Sequence, residues 1–245
     1  ETPVIFDGFA AAHYRRELMN YPQVDYVLCG ESVESSLLQL LKCISNGRTP
    51  EGVPGLIWRD RSGNPVENLP DETSSPSPDD LPLGRGGWSF TCQANHQAVV
   101  RMMARGCSQN CLTCGTSAYA YQRLYGRRAQ GYRSPELLAR DLDGVRGHND
   151  SVYIPGDITQ AGMDYAYRFL QAVQGYENLI CLDLFQPVPR KFLQDVSKAL
   201  PRFVLQISVE SHDPRVRQAV GKEYSTPAIE QTIGDALAVG CERID

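Results

Sequence analysis

Cys107, Cys111 and Cys114 lie within eight residues of one another, spaced Cys-x3-Cys-x2-Cys. Three thiolates on one loop can fill three of the four positions around a metal centre. A structural zinc site needs four closed ligands, and Cys92 and His96 are the nearby candidates for the fourth. An iron–sulfur cluster held by three cysteines leaves one iron open, which makes a reaction site rather than a staple. Thiols that ligate nothing are the third reading. Placement favours the open cluster. The loop follows a predicted strand, "QAVVRMMA", and in β/α folds active sites gather at the C-terminal ends of strands.

Other residues carry weaker signals. Gly156 and Asp157 end the predicted strand "SVYIPGD", where Asp157 is either a ligand-facing acid or the N-cap of the next helix. Ser208 and Glu210 alternate with Val209 and so are expected on one strand face, where a buried lone charge is costly unless it is used. Gly30 and Glu31 follow another strand, either facing a ligand or forming a tight turn with Glu31 near a helix N-terminus. Arg123, Arg127, Arg128 and Arg133 form a basic patch whose default reading is a solvated surface. The histidines, His13, His96, His148 and His212, show no ligand spacing.

The elements that must position these residues alternate strand and helix. "PVIFDGF" and "VDYVLCG" read as strands ending in glycine, followed by the helices "AAHYRRELMN" and "ESVESSLLQLLKCIS". In the second helix Leu37, Leu38, Leu41 and Ile44 recur at helical spacing. "GLIWRDRSGNPVEN" reads as a hairpin turning near Ser62-Gly63-Asn64. The stretch 71–94, rich in Pro, Ser, Asp and Gly, reads as a linker between a domain at 1–70 and another at 95–245. The second domain repeats strand and helix four times and begins a fifth unit at "CERID". The fold class is α/β: a partial wound parallel sheet, then an incomplete (β/α) barrel. The series stops before closure and the first segment is short for a wound sheet, so the chain is expected to be a fragment lacking material at each end.

Composition sets outer bounds. The chain has 245 residues, 42% hydrophobic and 22% charged, as in a globular protein. A formal charge of −5 gives no electrostatic reason to expect nucleic acid. No apolar run approaches the roughly 20 residues of a membrane helix, so no membrane contact is expected. Of the eight cysteines, five are scattered singly in apolar segments and three cluster, which favours a reducing, cytoplasmic setting and a metal.

"RGCSQNC" with the third cysteine resembles the cysteine loop of radical S-adenosylmethionine enzymes. The resemblance covers about 95–245. It implies a 4Fe–4S cluster on Cys107, Cys111 and Cys114, with the open iron chelated by S-adenosyl-L-methionine. It assigns Gly156 and Asp157, in "IPGDIT", to the methionine amino group, in place of the family's Gly-Gly-Glu-like motif. It assigns Ser208 and Glu210, in "ISVESHDPRVR", to the ribose, and finds family phrases in "GYRSPE" and "GKEYST". The residue before the third cysteine, usually aromatic in that family, is Thr113 here. "VDYVLCGESVESSLLQLL" resembles the second half of the cobalamin-binding domain that precedes many such enzymes. That likeness implies a corrin near Gly8, Gly30 and Glu31, with the cobalt-ligand histidine motif upstream. Together these imply a radical enzyme acting on a small-molecule or peptide substrate, with methyl transfer if cobalamin binds, and an electron donor such as a flavodoxin or ferredoxin. A methylthiotransferase or cyclase shares the loop, and a zinc-stapled binding module is the reading from another class.

Overall fold

The computed structural model describes residues 2–30, 32–69, 77–81, 89–91, 97–126, 130–147 and 151–245. The chain divides into two compact units, 1–76 with 115–130, and 77–114 with 131–245.

The first unit is a sheet with helices on both faces. Strands β1 (Ile5–Phe6) and β2 (Tyr26–Leu28) pair in parallel, and β2 pairs antiparallel with β3 (Leu56–Arg59), which pairs antiparallel with β4 (Pro65–Glu67). The β3–β4 turn is where the sequence places it. Asp60 accepts from the backbone nitrogens of Ser62 and Asn64, and Gly63 takes φ 83°. Alternation along the strands sorts side chains between the two faces. Val27 and Ile57 pack with Ala11 of α1 (Gly8–His13) and with Met19, which follows α2 (Arg15–Leu18). Leu28, Leu56 and Trp58 pack with Leu40 of α3 (Glu34–Ser45). The core-facing stripe of α3 is the buried Leu40 with the partly buried Leu37 and Ile44, whereas Leu38 (54% exposed) and Leu41 turn to solvent. Four leucines in five positions leave the facing ambiguous by one residue, and only the sheet decides it. Helix α4 (Ala118–Tyr125), just after the cysteines, belongs to this unit. Ser117 caps it, and Tyr121 and Tyr125 set their rings against Phe9 of α1.

The second unit is built on a six-stranded sheet. Its strands are β5 (Ser89–Thr91), β6 (Gln97–Val100), β9 (Ser151–Asp157), β10 (Ile180–Leu184), β11 (Phe203–Ile207) and β12 (Arg243–Ile244). They lie in the order β12-β11-β10-β9-β6-β5, all parallel except β5. A separate pair, β7 (Ala104–Arg105) and β8 (Gly131–Tyr132), brackets the cysteine loop and α4. Helices α5 (Pro135–Asp143), α6 (Met163–Ala172), α7 (Arg190–Ala199) and α9 (Thr226–Ala238) join consecutive parallel strands, and short α8 (Pro214–Ala219) precedes α9. Neighbouring strands in chain order are neighbours in the sheet, the arrangement of an open partial barrel. The core between sheet and helices holds Val152, Ile154, Leu182, Leu205, Phe169, Phe192 and Leu138. Among the described residues, no helix is long and apolar enough to cross a membrane.

The predicted strand through "QAVVRMMA" divides in two. β6 ends at Val100, and Arg101 turns inward to bond the carbonyl of Asp141. Ser134 and Pro135 start α5 as expected, but the capping contact runs the other way: Asp79 accepts from the Ser134 backbone nitrogen.

Candidate active site

The cysteine loop is held by the segment after α8. The backbone nitrogen of Leu112 donates to Val220, and Gly221 lies against the Asn110 carbonyl. A Cβ at Gly221 would come within 3.1 Å of that oxygen, and its φ of +89° suits only glycine. The same segment is anchored by Arg217, which is fully buried. Its guanidinium donates to the carbonyls of Ser211, His212 and Tyr224 and to the Thr226 hydroxyl.

The three sulfurs sense one another. Burial pushes the Cys107 thiol above its ordinary pKa, and Cys111 and Cys114 add to the push. Burial also raises Cys111, while the Lys222 ammonium draws it down and Glu210 and Cys114 oppose that. The Gln109 backbone nitrogen bonds the Cys107 sulfur, and the Gln160 side chain lies close enough to favour its thiolate as well. Yet among the described residues no three His, Cys, Asp or Glu side chains converge on a position for a single ion. Thiolates of a 4Fe–4S cluster bind different irons, so they need proximity without a shared point. The donor set fits such a cluster.

Beside the loop, the edges of β9 and β10 form a bulge. Ile154 pairs with Leu182, but the next pair is Asp157 with Asp183, so Pro155 and Gly156 are extra on β9. Gly156 takes φ +103° there and turns its nitrogen to Oδ2 of Asp183 at 2.9 Å. The Tyr153 hydroxyl donates to the same oxygen at 3.0 Å. Bulges of this kind re-aim groups beside ligand sites. Burial pushes the carboxyls of Asp157 and Asp183 above the usual range. Burial, with Cys107 and Asp157 nearby, pushes the Tyr132 phenol up to about 12.

Neither a protein-family model nor a curated protein matches the sequence. Solved structures do match the fold. The radical S-adenosylmethionine methyltransferase TsrM from Kitasatospora setae, with cobalamin and a 4Fe–4S cluster bound, aligns with 100% of this chain at TM-score 0.72 and 13% identity. TsrM with tryptophan and a S-adenosylmethionine analogue aligns at 0.70 and 15%, over 99% of this chain. The cobalamin-dependent S-adenosylmethionine radical enzyme OxsB aligns at 0.66 and 16%, over 98% of this chain. This chain therefore shares its fold with those two enzymes. The chain spans 49% of TsrM and 35% of OxsB.

Within that shared fold the residues singled out by sequence take distinct places. Gly156 lies in the bulge. Asp157 is the cap its alternative reading described: Oδ1 accepts from the Thr159 nitrogen and hydroxyl, and Oδ2 from the Phe185 nitrogen. Ser208 and Glu210 do not share a strand face, because β11 ends at Ile207 and Glu210 adopts a left-handed φ of 61°. Glu210 is no lone buried charge either. It is exposed and pairs with Lys222 at 3.0 Å, on the Cys111 side of the loop. The Ser208 carbonyl accepts from the Lys222 ammonium and the Tyr224 hydroxyl. In the first unit, Gly8 and Gly30 follow adjacent parallel strands at the same sheet edge. Glu31, Cys92, His96, Arg127, Arg128 and His148 lie outside the described residues. Arg133, read from sequence as solvated surface, is buried and forks onto both oxygens of Asp141. Sequence reading passed over Asp183, Gln160 and Lys222. Asp183 had a signal, a charge inside the apolar run "LICLDLF".

Proposed function

We propose that the chain uses Cys107, Cys111 and Cys114 to hold a 4Fe–4S cluster and binds S-adenosyl-L-methionine at the C-terminal edge of the six-stranded sheet. The observation that carries this reading is the trio of mutually interacting thiols on a loop beside that edge, within this particular fold. A cluster bound there supplies the electron for reductive cleavage of the sulfonium, which opens radical chemistry on a small-molecule or peptide substrate. The protein's own share is positional. Lys222 lies near enough to Cys111, and Gln160 to Cys107, to favour their thiolates. Gly221 against Asn110 and Val220 bonded to Leu112 fix the loop on both sides of Cys111. Burial holds the Tyr132 phenol protonated, which suits it to hydrogen bonding or packing rather than to work as a base.

The first unit, with turns at Gly8 and Gly30 on one sheet edge, is suited to face a corrin, and methyl transfer is then the reaction outcome. A flavodoxin or ferredoxin would deliver the electron, in a reducing cytoplasmic setting. The test is anaerobic reconstitution with iron and sulfide. Wild-type protein should bind both in equal amounts and become brown, and Cys→Ala at position 107, 111 or 114 should abolish this. A triple variant that still binds iron and sulfide at the wild-type ratio would overturn the reading.

A further inference from the structure

Asp183 carries an imbalance that its neighbours do not resolve. The residue is only 5% exposed. Its Oδ2 accepts two hydrogen bonds, from Tyr153 and Gly156. Its Oδ1 is shielded from solvent and has no hydrogen-bond partner among the described residues. A desolvated carboxylate oxygen without a donor is costly. The adjacent acid, Asp157, has protein donors on both oxygens, so the imbalance belongs to Asp183 alone.

We propose that Oδ1 of Asp183 is the acceptor for a cationic nitrogen on the bound cosubstrate, which is the α-ammonium of S-adenosylmethionine under the function proposed above, on which this inference rests. The unmatched atom is an acceptor, so its complement is a donor. Asp157 lies close enough to act on Asp183 electrostatically, which favours a cation over a neutral donor. The bulge makes the arrangement rigid. One oxygen of Asp183 fixes the backbone at Gly156, and this in turn fixes where the other oxygen sits. Shielding from bulk water leaves an arriving donor with little solvent competition. Asp157 cannot take this part without giving up its cap on the 158–161 turn.

Asp183→Asn isolates the proposed contact. The amide oxygen can keep both existing donors, so only Oδ1 changes, from acceptor to an NH2 that opposes an ammonium. The variant should load the cluster as wild type does and bind S-adenosylmethionine about 10- to 100-fold more weakly in anaerobic equilibrium dialysis. It should also lose the wild-type preference for S-adenosylmethionine over its des-amino analogue. Equal affinity in a cluster-loaded variant overturns the inference and leaves the proposed function standing. Wild-type protein that holds a cluster but binds no S-adenosylmethionine overturns the function itself. If the variant does not load a cluster, a crystal structure of the wild-type complex decides. An ammonium within about 3.2 Å of Oδ1 supports the assignment, and one seated elsewhere removes it.

Discussion

At the scale of single residues, the cysteine loop depends on a glycine that is not part of its motif. Gly221→Ala places a Cβ against the Asn110 carbonyl in a backbone conformation that costs an L-residue about 1–2 kcal/mol. The expected result is a drop of that size in urea-unfolding stability, together with slower cluster uptake. Unchanged uptake would show that the loop is held by other contacts. Asp183 makes a prediction about pH. Its carboxyl titrates above the ordinary carboxylate value of about 4 because burial disfavours its charge. Between the unfolded and folded values the folded state holds the extra proton. Its stabilising contribution is therefore complete below the unfolded value and is lost as pH rises through the folded one. Asp183→Asn does not titrate. The stability of wild type relative to this variant should fall as pH rises from about 4 towards neutrality, and a constant difference in unfolding free energy would contradict the assignment.

Among the elements, α5 and the strand pair β7–β8 are tied down by one buried ion pair. Arg133 spans Asp141 on α5 and the carbonyls of Pro78 and Leu81, while its own backbone nitrogen bonds Met103. Removing one partner of such a pair leaves an uncompensated buried charge, a loss of about 3–5 kcal/mol. Arg133→Met should therefore lower the denaturation midpoint far more than Arg168→Met, which breaks only the exposed pair with Glu136. Similar midpoints for the two variants would mean that water reaches Asp141. The β9 bulge is the other determinant at this scale. Two extra residues, Pro155 and Gly156, turn what would be ladder positions into a site that answers to Asp183.

Across the whole molecule, the candidate sites fall on different compact units. The three cysteines belong to the second unit, and Gly8 and Gly30 to the first. Under the proposed function, loss of the cluster should then leave corrin binding in place. Titration of the triple cysteine variant with hydroxocobalamin, followed by visible absorbance, is expected to match wild type. Loss of both together would show that the units form one cooperative site. The chain also crosses between units: 115–130 leaves the cysteine loop, packs α4 on Phe9, and returns at β8.

The sequence by itself determined the strand–helix alternation, the β3–β4 turn and the cysteine trio, because each rests on local chemistry. Hydrophobic runs, Gly63 with Asp60, and Cys-x3-Cys-x2-Cys all act over a few residues. The tertiary structure alone decided which leucines of α3 face inward, since Leu37 to Leu41 satisfy helical spacing in more than one rotation. It also placed α4 with the first unit, although the sequence makes it continuous with the cysteine loop. Strand alternation projected Ser208 and Glu210 onto one face, but β11 ends at Ile207 and a left-handed turn redirects Glu210 to Lys222. Asp183 stood in plain view within "LICLDLF", yet its unmatched oxygen exists only because a bulge on a different strand, 26 residues earlier at Asp157, brings Gly156 to the other one. Pairing across a sheet is a long-range property, and no short window of sequence contains it.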